Sequence, residues 1–156
     1  MNKLFVVFFF FMVFTSFAQI SPEEEEVKKV VTDFFGAFHK QDSVALRNLT
    51  HTSVTMQSIG DNAEGKTQLS TSSFENFLRS IVSIPSTTKF EEKLHGFEIH
   101  INGPLAQVTT PYTFHINGKL SHCGVNSFTM VKEERKWKIS YLIDTRNRNE
   151  CEIFQK

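Results

Sequence analysis

The sequence predicts an α+β fold in which a strongly bent antiparallel or mixed β-sheet wraps around three helices from the N-terminal half and leaves a pocket at its open end. Three observations predict it. The run from Phe90 to Arg146 reads as four consecutive antiparallel strands whose apolar residues can be brought to one face. Amphipathic helices earlier in the chain can cover that face. No linker, low-complexity tract or repeat divides the chain, so one core is expected over residues 19–156.

Lys3 precedes an unbroken apolar stretch from Leu4 to Phe14, and Thr15-Ser16-Phe17-Ala18 places small residues where a signal peptidase reads them. Residues 1–18 are therefore expected to be a secretory signal peptide cut after Ala18. The stretch is shorter than the roughly 20 residues that span a bilayer, and no Cys stands at the cleavage point to carry a lipid anchor. The expected location is secreted or periplasmic, with no membrane association after cleavage. The full chain balances 17 basic against 17 acidic side chains, and only Lys3 leaves with the leader, so the mature balance is −1. That charge attracts neither nucleic acid nor anionic lipid.

Ser21-Pro22-Glu23-Glu24 is a helix start: serine caps free amides, proline loses no amide at the first position, and the acidic run suits the positive dipole end. Val27, Val30, Val31, Phe34, Phe35 and Phe38 follow at helical spacing to about His39 and form a core stripe. Asp42 caps a second helix, Ser43 to Leu49. Ser53 to Ile59 and Lys66 to Ser70 then alternate weakly about Gly60-Asp61-Asn62-Ala63-Glu64-Gly65 and read as a short edge hairpin. A third helix starts near Ser72, which with Glu75 makes a capping box, turns Phe74, Phe77, Leu78, Ile81 and Val82 inward, and stops before Pro85.

Along the meander, Phe97, Ile99 and Ile101 lead into Asn102-Gly103-Pro104, and Ala106, Val108, Tyr112, Phe114 and Ile116 lead into Asn117-Gly118-Lys119; both are hairpin turns. A three-residue loop with a bulge at Gly118 would set Phe114 with Leu120, His122, Gly124, Asn126, Phe128 and Met130. On the last strand, unbroken alternation turns Trp137, Ile139, Tyr141, Ile143 and Thr145 inward. Asp144, Arg146 and Cys123 are then on the outer face, where Asp144 and Arg146 form a solvated ion pair. Gly124 is there to let a bent strand curve.

Cys123 and Cys151 have two open readings in an oxidising compartment, a structural bridge or two free thiols, with a reactive thiolate as a third. Six histidines show no tight ligand spacing, and neither a glycine-rich phosphate loop nor a serine elbow is present, so no metal and no cofactor is expected.

The order helix, helix, short strands, helix, meander, with Phe35-x-x-Phe38-x-x-x-Asp42-x-x-Ala45-Leu46 and Trp137-Lys138-Ile139, resembles the nuclear transport factor 2-like superfamily. That cone fold is shared by ketosteroid isomerase, scytalone dehydratase and the SnoaL-like polyketide cyclases. The resemblance spans about Ser21 to Asn147 and implies a bent mixed sheet around three helices with a pocket at the wide mouth. Ketosteroid isomerase implies a buried acid and a tyrosine donor in the cone. Here Tyr112 and Tyr141 are on offer, but no acid shares their face, since Asp144 has the wrong parity unless a bulge intervenes. The histidine and aspartate pairing of scytalone dehydratase is not matched.

Within the apolar face stand His122, Asn126, Tyr141 and Thr145, with Tyr112 across the sheet. They form either an internal hydrogen-bond network or a pocket wall awaiting a ligand. The leading expectation is an exported, non-catalytic module that binds a small apolar or amphipathic molecule through His122, Asn126, Tyr112, Tyr141 and Thr145. One alternative is an isomerase, dehydratase or cyclase with His122 as base and Tyr141 as donor. The other is a homodimer formed through the outer sheet face at Val125, Val131 and Leu142.

Overall fold

In the computed structural model, Ser21 to Asn149 and Cys151 are described, so the expected signal peptide lies outside the described residues. Helix α1 (Pro22–His39) starts where the sequence places it: the Ser21 hydroxyl accepts the Glu24 amide at 3.2 Å and the Glu24 carboxylate accepts the Ser21 amide at 2.6 Å. Helix α2 (Ser43–Leu49) is capped by the Asp42 carboxylate, which accepts the amides of Val44 and Ala45.

Helix α3 (Phe74–Val82) begins one residue later than expected. Ser73 is the cap, accepting the Asn76 amide at 3.2 Å, because the preceding strand runs on through Ser73 and the first helical residue is Phe74. Glu75 is thereby free to meet Arg47 of α2 through both its oxygens. Val82 lies 57% exposed, so it is not part of the inward face.

Seven strands form one sheet: β1 (Thr50–Asp61), β2 (Thr67–Ser73), β3 (Phe90–Leu94), β4 (Glu98–Asn102), β5 (Leu105–Ile116), β6 (Lys119–Glu133) and β7 (Lys136–Arg146). The order is β2-β1-β7-β6-β5-β3, with β4 also on β5. Two expectations are corrected. The meander has five strands because its first arm breaks at His95-Gly96-Phe97, so that β3 and β4 pair with the two ends of β5; Gly96 has φ +101°, a conformation that favours glycine there. Nor is β1 an edge, since it runs parallel to β7 and makes the sheet mixed.

The core lies between this sheet and the helices. Val27, Val31, Phe34 and Phe35 of α1 are buried with Val108 of β5, Phe128 and Met130 of β6 and Ile139 of β7. Phe34 and Phe35 each present an edge to the Phe128 ring, with centroids 6.1 and 6.0 Å apart, an arrangement worth about 0.5–1.5 kcal/mol per pair beyond the area buried.

Two bulges set which side chains enter the interior. Between β5 and β6 the turn is a two-residue one, Ile116 opposite Lys119, with Asn117 and Gly118 both at positive φ. The register slips at Ser121 instead of at Gly118, since His115 faces Leu120 but Phe114 faces His122. Phe114 and His122 thus meet as expected, whereas Leu120 falls on the other side and is 44% exposed.

Ser140 of β7 is the second extra residue: Met130 faces Ile139, yet Thr129 faces Tyr141. Trp137 and Ile139 point inward before it, and Leu142 and Asp144 do so after it, opposite Phe128 and Asn126. This reverses the expected sides for the second half of the strand. Tyr141, Ile143 and Thr145 leave the inner face, and Leu142, only 7% exposed, belongs to the core and not to an outer docking face.

Candidate functional site

A cavity of about 550 Å³ lies between α1, α3 and the inner face of the sheet. Phenylalanines make its body: Phe34, Phe35 and Phe38 from α1, Phe77 from α3 and Phe114 from β5. The helical spacing that makes α1 a core helix thus also supplies the apolar cavity wall. Phe77 stacks on both Phe34 and Phe38, which ties α3 over the opening. Gln41 holds the same helix from below by donating its side-chain amide to the carbonyls of Ile81 and Ile84 at 2.6 and 2.9 Å.

The other end is polar, and its groups come from five strands. Glu92 of β3 is opposite Phe114 of β5, which is opposite His122 of β6, so these three make one row across the sheet. Tyr112 is two residues before Phe114, while Asn126 pairs with Asp144 across β6 and β7. Ser58 of β1 lies beside Asp144, and Arg146 follows on the same face.

Asp144 is the hub. Its Oδ1 accepts the Ser58 hydroxyl at 2.5 Å, and its Oδ2 accepts Arg146 Nε at 2.7 Å and the Tyr112 hydroxyl at 3.3 Å. Tyr112 is 1% exposed, and its one hydroxyl proton is shared between Asp144 and the Thr145 carbonyl, which is the closer at 2.9 Å. Burial, reinforced by the Asp144 charge, pushes its phenol pKa well up, so it is a donor and never a phenolate.

Glu92 is held differently. Its Oε1 accepts the Asn126 amide at 2.6 Å, and its own backbone amide donates to His39 Nε2 of α1 at 2.9 Å. Burial pushes its carboxyl up to about 7, against the pull of the Asn126 amide, and the neighbouring Asp144 adds to the rise. His122 goes the other way. Burial lowers it to about 4, with Arg146 adding to the fall, so its imidazole is neutral around pH 7.

Of the residues expected to act, Tyr112, His122 and Asn126 come together at the cavity. Tyr141 and Thr145 do not. The Tyr141 hydroxyl is taken up by the side-chain oxygen of Gln57 at 2.5 Å without itself lining the cavity, while the Thr145 hydroxyl accepts the Val125 amide at 3.0 Å. Asp144 and Arg146, expected outside as a solvated pair, are in the wall because of the Ser140 bulge. Glu92 escaped the sequence reading. Its signal is Phe90-x-Glu92-x-Leu94, a carboxylate between two apolar residues of the same strand face.

Cys123 and Cys151 are bridged, with Cα atoms 5.5 Å apart. Asn147 exchanges two backbone hydrogen bonds of 2.8 Å with Cys123, so the chain after Arg146 is fixed against β6 beside His122 and Gly124.

The opposed shifts of Glu92 and His122 predict a pH signature. A carboxyl raised from 4.5 to about 7 contributes stability that is present below pH 4.5 and lost as pH rises through 7. A histidine lowered from 6.5 to about 4 contributes stability that is present above pH 6.5 and lost as pH falls through 4. The two nearly offset each other between about pH 4.5 and 6.5. Glu92→Gln keeps the acceptor for Asn126 and removes one of the two. The variant should gain about 2 kcal/mol at pH 8 and show stability that climbs with pH over this window, where the parent is flat. Urea midpoints at pH 4.5, 6.5 and 8 check it; parallel profiles for the two proteins would contradict the Glu92 assignment.

Among solved structures, the chain is similar to a nuclear transport factor 2-like protein of unknown function from Shewanella baltica, at 17% identity, covering 81% of this chain and 95% of that one, with a TM-score of 0.58. It is also similar to a candidate dehydratase of the nuclear transport factor 2-like family from Streptomyces avermitilis, at 18% identity over 81% and 99% of the two chains, TM-score 0.62. A third is a nuclear transport factor 2-like protein from Cytophaga hutchinsonii, at 13% identity over 81% and 100%, TM-score 0.64. No protein-family model and no curated protein matches the sequence.

Proposed function

The chain has the nuclear transport factor 2-like fold, and on that scaffold we propose an exported module that binds one small, largely apolar molecule in the cavity between α1, α3 and the sheet. The observation that carries this reading is a cavity of about 550 Å³ with phenylalanines along its body and its polar groups gathered at one end. Ligand sites of this volume typically pair an apolar body with a few placed polar groups. Tyr112, His122 and Asn126 orient the ligand's polar end, with Glu92, Asp144 and Arg146 in place of Tyr141 and Thr145. Export is supported by the leader pattern in residues 1–18 and by a disulfide, which suits an oxidising compartment.

The neutral aromatic dye N-phenyl-1-naphthylamine should bind the mature protein saturably, at one molecule per chain. Ser80 is exposed and lines the cavity from α3, so Ser80→Trp should plug the opening and weaken the dye at least about tenfold without loss of stability. Unsaturable binding, or binding indifferent to the plug, would remove the basis of the pocket reading.

A second reading, proton transfer of the isomerase or dehydratase kind, is favoured by one observation: a carboxyl held near 7 faces the cavity beside a tyrosine donor. Its base is Glu92, not His122, whose low pKa makes a weak base, and its donor is Tyr112, not Tyr141. Turnover of enolisable ketones in deuterated water should then incorporate deuterium through Glu92; incorporation unchanged by Glu92→Gln would end this reading.

A further inference from the structure

The two carboxylates at the polar end are not equivalent. Asp144 has a donor on each oxygen, from Ser58, Arg146 and Tyr112. Glu92 has Asn126 on Oε1 only, and among the described residues no donor reaches Oε2. The cavity therefore contains one carboxylate oxygen for which the described residues supply no donor, on a half-buried side chain that lines the cavity, where a ligand can reach it.

Charge points to the nature of the missing donor. Arg146 is already paired with Asp144 at 2.7 Å. The other groups facing Glu92 carry no positive charge at neutral pH to answer it: Tyr112 of β5 is a neutral phenol, His122 of β6 is a neutral imidazole, and His39 of α1 uses Nε2 to accept the Glu92 amide. With Glu92 ionised, Glu92, Asp144 and Arg146 sum to one negative charge. An anionic ligand would meet repulsion in a low-dielectric wall, whereas a cation would be neutralised there and hydrogen-bonded at once. Phe38 and Phe114 both line the cavity, with ring centroids 6.3 Å apart, and Phe114 is opposite Glu92. Faces of this kind favour a cation and its apolar carrier.

We propose that the cavity takes an organic amine, with an aryl or alkyl body among the phenylalanines and its ammonium group on Oε2 of Glu92. This rests on the pocket reading above and names the ligand class of that same site. Because Glu92 is half-ionised near pH 7, amine binding tightens as pH rises through 7 and displaces the Glu92 proton.

Three near-isosteric probes test it: 4-phenylbutylamine, 4-phenylbutan-1-ol and 4-phenylbutyrate, titrated by calorimetry at pH 5.5 and 8.5. At pH 8.5 the amine should bind about tenfold or more tightly than the alcohol, and the carboxylate most weakly. The amine's advantage over the alcohol should shrink at pH 5.5 and vanish in Glu92→Gln. If the alcohol or the carboxylate binds as tightly as the amine at pH 8.5, or if Glu92→Gln keeps the full preference, the amine is overturned and the pocket reading survives. If none of the three binds while the naphthylamine dye still binds saturably, the amine falls alone; if the dye also fails to bind saturably, both fall together.

Discussion

Gly124→Ala is expected to abolish the native fold or leave it barely stable. The added Cβ would sit 1.8 Å from the Thr145 carbonyl oxygen and 2.8 Å from its carbon. Both are backbone atoms, so relief requires β6 and β7 to part. That movement would break the Tyr112 bond to the same carbonyl at 2.9 Å, the Val125 amide bond to the Thr145 hydroxyl at 3.0 Å and the paired bonds between Cys123 and Asn147. The cost should exceed about 4 kcal/mol, a large part of the roughly 5–15 kcal/mol that holds an ordinary domain together. Gly36, in the middle of α1, provides the control, since nothing lies within 4 Å of its would-be Cβ. Gly36→Ala should stabilise by about 0.5–1 kcal/mol through helix propensity alone. Urea midpoints and soluble yields of the two variants decide the matter, and a Gly124→Ala protein with a parental midpoint would contradict the close approach of the strands. The sequence reading assigned Gly124 to curvature; what requires it is a carbonyl in the space where its side chain would be.

Removal of the disulfide should give the second large effect. Cys123 and Cys151 close a loop with a sequence separation of 28, for which the chain-entropy relation gives about 3–4 kcal/mol. Cys123 is fully buried and Cys151 nearly so, so cutting the bridge also releases the C-terminal tail at Cys151 from a buried anchor. Reduction, or Cys123→Ala with Cys151→Ala, should lower Tm by about 10 °C. Because the tail starts at Asn147, directly after Arg146, affinity for the naphthylamine dye should fall as well. Scanning calorimetry with and without reductant checks this. Two titratable thiols with an unchanged Tm would show that the bridge contributes nothing.

The Glu92→Gln pH profile and the amine test share a physical origin with these, in that all depend on how β3, β6 and β7 converge at one end of the cavity. Stability and binding pull Glu92 in opposite directions. Burial makes the ionised carboxylate of Glu92 cost stability in the free protein, and a cationic ligand would offset that cost. A variant that is both more stable and blind to the amine would display the two effects together.

Much of the fold was legible because it is written in local chemistry. Ser21 with Glu24, and Asp42 before Val44, mark helix starts through amides that need acceptors, and no distant residue changes that need. The α1 stripe has a period that only a helix can turn to one side. On β5 and β6, alternation put Tyr112, His122 and Asn126 inside, and inside they are. The capping serine of α3 was misplaced by one position because Ser72 and Ser73 offer the same hydroxyl, and only the end of strand β2 selects between them.

The sequence by itself determined the α+β class, the three helices and the three inward residues of the central strands. Only the tertiary structure decided the far end of the cavity. Strand alternation has a period of two, so one extra residue reverses every side chain beyond it without altering the local pattern. Tyr141-Leu142-Ile143 is apolar at either parity and carries no sign of the Ser140 bulge. That bulge exchanges Tyr141 and Thr145 for Asp144 and Arg146 in the wall. Glu92 reaches the same wall because β3 pairs with β5, a contact between segments about twenty residues apart that no local pattern encodes. The two carboxylates there are held by partners that the sheet gathers from distant segments: Ser58 of β1, Tyr112 of β5 and Arg146 of β7 on Asp144, and Asn126 of β6 on Glu92.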